Sequence, residues 1–255
     1  MPIMLMSLRP NQTFVDGFCG GCAVIQRVPK EHRRIANDNN GYLIAMFQRL
    51  TMTDWKPQQI IEKPYYDKVR ATYHAHDGIF DDATIGRVGY MGSRNGRFFD
   101  GGYSGHHAKD GRDYIAENIR NISKQIPDLR GIEWQNGSYD KMQVPDASLL
   151  YLDPPYRGTS GYPTARHFNH EAFYDFCRQM KRDGHTVFVS ELICLAISSV
   201  CGRSRWSIVC IVQERTGRRK GCGRCREFVG GLLTKRSWQI IHFFTFDEFK
   251  KQSKK

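Results

Sequence analysis

The sequence predicts an α/β fold built on a doubly wound, mostly parallel β-sheet. Strand-like runs at 13–16 and 34–38 precede residues 40–50, whose apolar side chains recur at helical spacing. The second half of the chain repeats this alternation, with helical segments at 113–126 and 169–181 and strand-like segments at 132–136, 148–153 and 186–190. Strands and helices that alternate at these separations are typical of βαβ units, which form parallel sheets.

Length and composition limit the class of protein. A chain of 255 residues can bury the core of one domain with a modest insertion. No apolar run approaches the roughly 20 residues of a membrane span, and the start does not resemble a signal peptide. We therefore expect no membrane association and a cytoplasmic location. The net charge of +12 weakly favours a polyanionic partner such as nucleic acid.

Eight cysteines are present, and we interpret them as reduced thiols. The pairs Cys19/Cys22 and Cys222/Cys225 have the spacing of zinc ligands, and together they could form a four-thiolate site. Nearly 200 residues separate the two pairs, and the first pair lies in a glycine-rich loop with another interpretation. We expect no metal.

The sharpest motif is Asp153-Pro154-Pro155-Tyr156, which directly follows an apolar strand. The prolines fix the backbone and remove two N–H donors, but their carbonyls remain acceptors. An amino group conjugated to an aromatic ring is a poor nucleophile because its lone pair is delocalised. If Asp153 and the Pro154 carbonyl accepted its two N–H bonds, the nitrogen would become more tetrahedral and could attack a sulfonium methyl. Tyr156 offers a face on which an extruded base can stack; an ordinary Asp-Pro turn is the alternative.

Polar or glycine-rich residues also follow the first two strands. The glycine loop, which we define as residues 17–21, begins after Asp16, and its glycines would let the backbone approach a cofactor closely. Asp38 ends the second strand, where a carboxylate can accept hydrogen bonds from a ribose diol. A plain turn and a helix N-cap are the respective alternatives. Because ligands bind at the carboxyl ends of parallel strands, Asp16, Asp38, Asn136 and Asp153 are expected along one edge of the sheet.

Taken together, the motifs FCGG (18–21), IANDNN (35–40) and YLDPPY (151–156) resemble those of the Dam-like N6-adenine DNA methyltransferases, especially phage-encoded members. The resemblance runs from about residue 10 to 191 and includes FFDGGY (98–103) and GHTVFVSE (184–191). It implies a Rossmann-like S-adenosylmethionine-dependent methyltransferase core with an inserted target-recognition region. The implied reaction is methyl transfer to N6 of an adenine flipped out of duplex DNA.

The resemblance also implies roles for individual residues. Asp153, Pro154, Pro155 and Tyr156 are expected to be catalytic. The residues expected to contact S-adenosylmethionine are Asp16, Phe18, Gly20, Asp38, Ser138, Tyr139 and Asp153. We expect a monomer in a bacterial or phage-infected cell. Phage defence against restriction and a host modification system are both compatible with the sequence.

The expected domain organisation has three parts. Residues 10–50 and 112–191 form the methyltransferase core. Residues 51–111, rich in glycine, aromatic and basic residues and weak in periodicity, are interpreted as a recognition insertion with long loops. Residues 192–255 form an atypical tail rich in arginine and cysteine. Only about ten residues precede the loop region, so an N-terminal family segment that closes over the cofactor is expected to be missing.

The tail departs from the resemblance, which predicts an acidic, aromatic stretch containing a tryptophan. With suitable codons, a shifted frame starting at the Leu192/Ile193 junction encodes DMPGDFECVWQVEMVNSL, which looks like the missing family sequence. We therefore hypothesise a frameshift near residue 191. The alternative is a basic tail, centred on Arg218-Arg219-Lys220, that clamps phosphate.

Other functions stay compatible with the sequence. A methyltransferase acting on RNA or on a protein amide faces the same chemical problem, because its target is also a planar amino group. A degenerate, non-catalytic remnant that binds DNA through charge alone is an alternative from another class.

Overall fold

A seven-stranded sheet organises the protein in the computed structural model, which describes residues 3–106, 111–156, 168–191, 209–212 and 240–241. The strands are β1 (Phe14–Asp16), β2 (Arg34–Asp38), β3 (Glu133–Asn136), β4 (Leu149–Leu152), β5 (Thr186–Glu191), β6 (Val209–Val212) and β7 (Ile240–Ile241). Their order is β3-β2-β1-β4-β5-β6-β7, with every neighbouring pair parallel except β6 and β7. The predicted α/β fold with a parallel sheet is confirmed.

Six α-helices accompany the strands in the described part of the chain. They are α1 (Ile3–Met6), α2 (Gly41–Met52), α3 (Lys63–Ala75), α4 (Asp82–Met91), α5 (Tyr114–Leu129) and α6 (His170–Arg182). Short 3-10 turns occupy Ile25–Arg27, Arg94–Gly96 and Tyr139–Lys141. Within the described ranges, no helix is both long and apolar enough to cross a membrane.

The central strands are buried on both faces, as their apolar sequences require. In β4, Leu149 and Tyr151 belong to a core that also contains the buried side chains of α2 to α5. Leu150 and Leu152 point to the opposite face, where they pack in a second core with Phe173 and other residues of α6. This alternation explains why β4 reads as a continuous apolar run, since helices cover both sides of the sheet.

Three of the predicted helices are found, with boundaries set by side-chain caps. Asn40, Asp113 and Asn169 each accept a backbone N–H bond from the first turn of α2, α5 and α6, respectively. Asn40, and not Asp38, is therefore the N-cap of α2.

The prediction of long loops in residues 51–111 is wrong, because α3 and α4 form there. Seven of the ten residues of α4 are buried, so this helix has little polar face and shows weak periodicity. A Cβ atom on Gly86 would lie 1.9 Å from the backbone oxygen of Tyr42 in α2. Glycine thus lets α4 pack directly on α2. The buried glycines that allow this close contact also weaken the helical pattern of the sequence.

The structure describes the state of three cysteines, including the first Cys-x-x-Cys pair. Cys19, Cys22 and Cys177 are free and buried. Cys222 and Cys225, which could complete a zinc site with the first two, lie outside the described residues.

Candidate active site

Three aspartates lie at the carboxyl edge of the central strands. Asp16 ends β1, Asp38 ends β2 and Asp153 directly follows β4. Because β1 pairs with both neighbours in parallel register, the three residues emerge on the same edge of the sheet. Electrostatic repulsion from Asp153 and Asp38 contributes to a raised pKa of Asp16, so the carboxylates are close enough to interact.

Asp16 is the most deeply buried of the three carboxylates. Its side chain is 1 % exposed, and burial is the main cause of a pKa raised well above the usual range. Its Oδ1 atom is buried without a hydrogen-bond partner. An acceptor of this kind, beside two further carboxylates, fits a positively charged ligand.

Asp38 is held by the backbone. Its Oδ2 atom accepts a hydrogen bond from the Gly20 N–H at 2.9 Å, and its Oδ1 atom accepts one from the Asn40 N–H at 2.9 Å. Burial raises the pKa of Asp38, while these two bonds favour the charged form. Asp38 therefore ties the glycine loop to the start of α2.

The glycine loop requires glycine at two positions for different reasons. Gly20 has a φ of +45°, a conformation that L side chains rarely adopt. At Gly21, an added Cβ would lie 2.1 Å from the hydroxyl oxygen of Tyr90 in α4. Tyr90 thus packs against this loop. The sequence did not predict this contact because the two residues are 69 positions apart.

Asn37 connects the loops that follow β1 and β3. Its Nδ2 group donates to the backbone oxygens of Gly17 at 3.1 Å and Gly137 at 3.0 Å. Its own backbone oxygen accepts from the Cys19 N–H at 2.9 Å. Asn37 was also missed from the sequence, where it is one polar residue inside a strand.

The predicted cofactor residues Phe18 and Tyr139 come together in an aromatic cluster. Their rings stack with centroids 5.7 Å apart, against Phe168 and Phe173. The half-buried Ser138 precedes Tyr139. The adjacent Gly137 N–H donates to the backbone oxygen of Asp38, which brings this segment beside the end of β2.

In the Asp153-Pro154-Pro155-Tyr156 motif, the last residue is hydrogen-bonded to the first. The Tyr156 hydroxyl donates to Asp153 Oδ1 at 2.7 Å. Pro154 is buried and Pro155 is half-buried. Burial raises the pKa of Asp153, and hydrogen bonds from Tyr156 and Ser190 oppose that rise.

Ser190 was not among the predicted site residues. It lies in β5, is fully buried, and places its Oγ atom 3.0 Å from the Tyr156 hydroxyl. Leu152 in β4 pairs with Val189 in β5, so the next residue along each strand, Asp153 and Ser190, reaches the same edge. The rule that identified the aspartates could have found Ser190 once the order of strands was known.

Fold and site together define the class of protein. A parallel sheet whose carboxyl edge presents aspartates, a glycine loop and the Asp-Pro-Pro-Tyr motif is a Rossmann-like methyltransferase fold. The chain matches the family described as D12 class N6 adenine-specific DNA methyltransferase over residues 5–83 and 92–192. It belongs to this family and is by that membership a DNA adenine methyltransferase, which confirms the predicted family and function. Comparison with curated proteins gave no match.

Proposed function

We propose that this protein transfers the methyl group of S-adenosylmethionine to N6 of an adenine flipped out of duplex DNA, using Asp153, Pro154, Pro155 and Tyr156 as catalytic residues. The observation that supports this site most directly is the group of three neighbouring aspartates, one with an unpartnered buried oxygen. The proposal also includes a monomer that acts in the cytoplasm.

The aspartate edge fits the proposed cofactor. S-adenosylmethionine has a sulfonium and an ammonium group, and a cation beside Asp16 would offset the repulsion that raises its pKa. Asp38, already fixed by two backbone N–H groups, still has lone pairs for the ribose hydroxyls. The stacked rings of Phe18 and Tyr139 offer an apolar surface for the cofactor adenine. The same arrangement supports roles for Gly20 and Ser138, which adjoin these groups.

At the catalytic end, this chain's residues would bind and orient the target amino group. Bound S-adenosylmethionine supplies an electrophilic methyl on sulfur. Asp153 and the Pro154 carbonyl would accept the two N6–H bonds and aim the nitrogen lone pair, so alignment would provide most of the rate enhancement. Asp153, with a pKa raised by burial, would also be able to accept the proton that leaves N6.

For residues 192–255, we propose that a frameshift near residue 191 has replaced the family sequence. The family match ends at residue 192, next to the proposed junction. This tail contains 14 lysines and arginines against four acidic residues, and hence most of the net charge of +12. The coding DNA tests the idea: its alternative frame should encode DMPGDFECVWQVEMVNSL, and any other peptide there refutes the frameshift and favours a phosphate-binding tail.

The experiment that tests the proposed function is transfer of a labelled methyl group from S-adenosylmethionine to unmethylated duplex DNA. We expect label on adenine N6 with the native chain and none with Asp153→Ala. Asp175→Ala, which alters an exposed aspartate of α6, is the matched control and should retain transfer.

Two results would contradict the proposal. Label that moves preferentially to RNA or protein when these compete with DNA would reassign the substrate. DNA binding without cofactor binding or transfer, unchanged by Asp153→Ala and strongly salt-dependent, would identify a non-catalytic DNA-binding remnant.

A further inference from the structure

Ser190 is a polar residue in a fully buried position beside the proposed active site. Its side chain is 0 % exposed at the carboxyl end of β5, next to the strand that leads to Asp153. A buried hydroxyl must be hydrogen-bonded to avoid a desolvation cost. Its partners lie at and next to the catalytic motif: Oγ lies 3.0 Å from the Tyr156 hydroxyl, and Ser190 also interacts with Asp153 and with the Tyr151 hydroxyl of β4.

The number of protons available sets the direction of these bonds. Tyr156 has one hydroxyl proton, which it donates to Asp153 Oδ1 at 2.7 Å. The Tyr156 oxygen can then accept the proton of Ser190, or Ser190 can donate to the carboxylate itself. When the Tyr151 hydroxyl donates to Ser190 Oγ, both arrangements leave the Ser190 proton to support the negative charge on Asp153, either through Tyr156 or directly.

Two other ionisable groups lie near Asp153, and its charge raises the pKa of each. Asp16 on β1 and Tyr151 on β4 both interact electrostatically with Asp153. Asp38 on β2 lies one step further along and interacts with Asp16. Among the described residues with resolved effects on Asp153, the groups that favour its ionised form are the two hydroxyls of Tyr156 and Ser190.

We propose that Ser190 is a positioning residue whose hydroxyl, directly and through Tyr156, holds the Asp153 carboxylate charged and oriented toward the target amino group. The inference rests on the proposed catalytic role of Asp153. This role would add a residue of β5 to the functional motif at residues 153–156.

The first test measures the titration of Asp153 by carbon-13 NMR in the full-length, cofactor-free chain. Loss of a hydrogen bond to a carboxylate should move the Asp153 titration upward by about one pH unit in Ser190→Ala. Ser148→Ala is the matched control, because Ser148 is equally buried but bonds the Pro145 backbone oxygen at the opposite end of β4. The control should leave the titration unchanged.

The second test measures methyl transfer as a function of pH. Activity needs ionised Asp153, so the acid limb should move to higher pH in Ser190→Ala, with a rate loss at neutral pH that alkaline pH recovers. Affinity for S-adenosylmethionine should stay the same, and Ser190→Thr, which keeps the hydroxyl, should restore the native profile. If Ser190→Ala does not fold, Ser190→Cys replaces the hydroxyl with a weaker donor of similar size and should give the same shift.

An unchanged Asp153 titration in Ser190→Ala and Ser190→Cys would overturn the proposal, as would an equal shift in Ser148→Ala. The outcome is separable from that of the proposed function, since NMR does not depend on activity. A shifted titration in a chain that transfers no methyl would leave the hydrogen-bond role of Ser190 intact and refute the proposed methyl transfer by this chain.

Discussion

The two sides of the site stabilise their carboxylates by different means. On the β1–β2 side, Asp38 is held by the backbone N–H groups of Gly20 and Asn40. On the β4–β5 side, Asp153 is held by the side-chain hydroxyls of Tyr156 and Ser190. Backbone donors cannot turn away without moving the chain, whereas a hydroxyl can rotate and exchange partners. The first side is thus suited to a fixed contact, and the second to a contact that changes when a substrate arrives.

Asp16 lies between the two sides and differs from both. One of its oxygens has no partner, although the residue is almost completely buried. The three aspartates therefore differ in their partners: backbone N–H groups bond both oxygens of Asp38, side-chain hydroxyls bond Asp153, and one oxygen of Asp16 has no partner. Their chemical identity is the same, and only their partners distinguish the roles that we propose.

The largest effect is expected where the backbone supplies the donors. Asp38→Ala removes the acceptor of two N–H groups and releases the glycine loop, so the Kd for S-adenosylmethionine should rise about 100-fold. Isothermal titration calorimetry measures this change. Asn40→Ala is a close control: it removes the side-chain cap of α2 but keeps the N–H bond to Asp38, so it should lower stability by about 1 kcal/mol without this loss of affinity. Equal affinity losses in both variants would contradict the distinct role of Asp38.

A smaller and different effect is expected on the hydroxyl side. Tyr156→Phe keeps an aromatic face for a base but removes the donor to Asp153, so kcat at neutral pH should fall about tenfold. The pKa of Asp153 should rise further, and activity should therefore recover as pH increases. Cofactor affinity, measured by the same calorimetry, should be unchanged. A loss of cofactor affinity comparable to that in Asp38→Ala would remove the distinction between the two sides.

The smallest effect concerns the support of the glycine loop. Gly21→Ala places a Cβ 2.1 Å from the Tyr90 oxygen and should weaken cofactor binding a few-fold through overpacking. Tyr90→Phe removes that oxygen and leaves the ring carbon at 3.2 Å, so the double variant should bind the cofactor better than Gly21→Ala alone. Additive losses in a double-mutant cycle would show that the two residues do not interact.

The aspartate edge could be predicted because it follows from one rule applied to a clear pattern. Each of the residues Asp16, Asp38 and Asp153 comes at the end of a buried strand, and parallel strands share a carboxyl edge. The three helices predicted from apolar spacing begin at residues 40, 113 and 169, which the structure shows to be the N-caps Asn40, Asp113 and Asn169.

What could not be predicted depends on contacts between distant segments. Ser190 and Asn37 look like ordinary strand residues until strand order and register show which loops they reach. The α4 helix was not predicted because seven of its ten residues are buried, two of them glycines, so that it has little polar face to mark the helical period. In both cases the missing information is which surfaces face each other, and local periodicity does not contain it.

Most of α4 lies outside the family match. The match omits residues 84–91, which make up most of this helix, yet Tyr90 in that gap touches the glycine loop. A segment outside the family match thus contacts a loop inside it. Gly21 and Tyr90 therefore form a pair that has to be considered together when this chain is compared with other family members.

The amide of Asn37 has a mechanical consequence. By bonding the backbone of Gly17 on one side and Gly137 on the other, it links two loops that otherwise leave the sheet separately. One loop is adjacent to the aspartates, and the other leads into the aromatic cluster of Tyr139. Because one side chain bonds both loops, we expect a displacement of one loop to move the other.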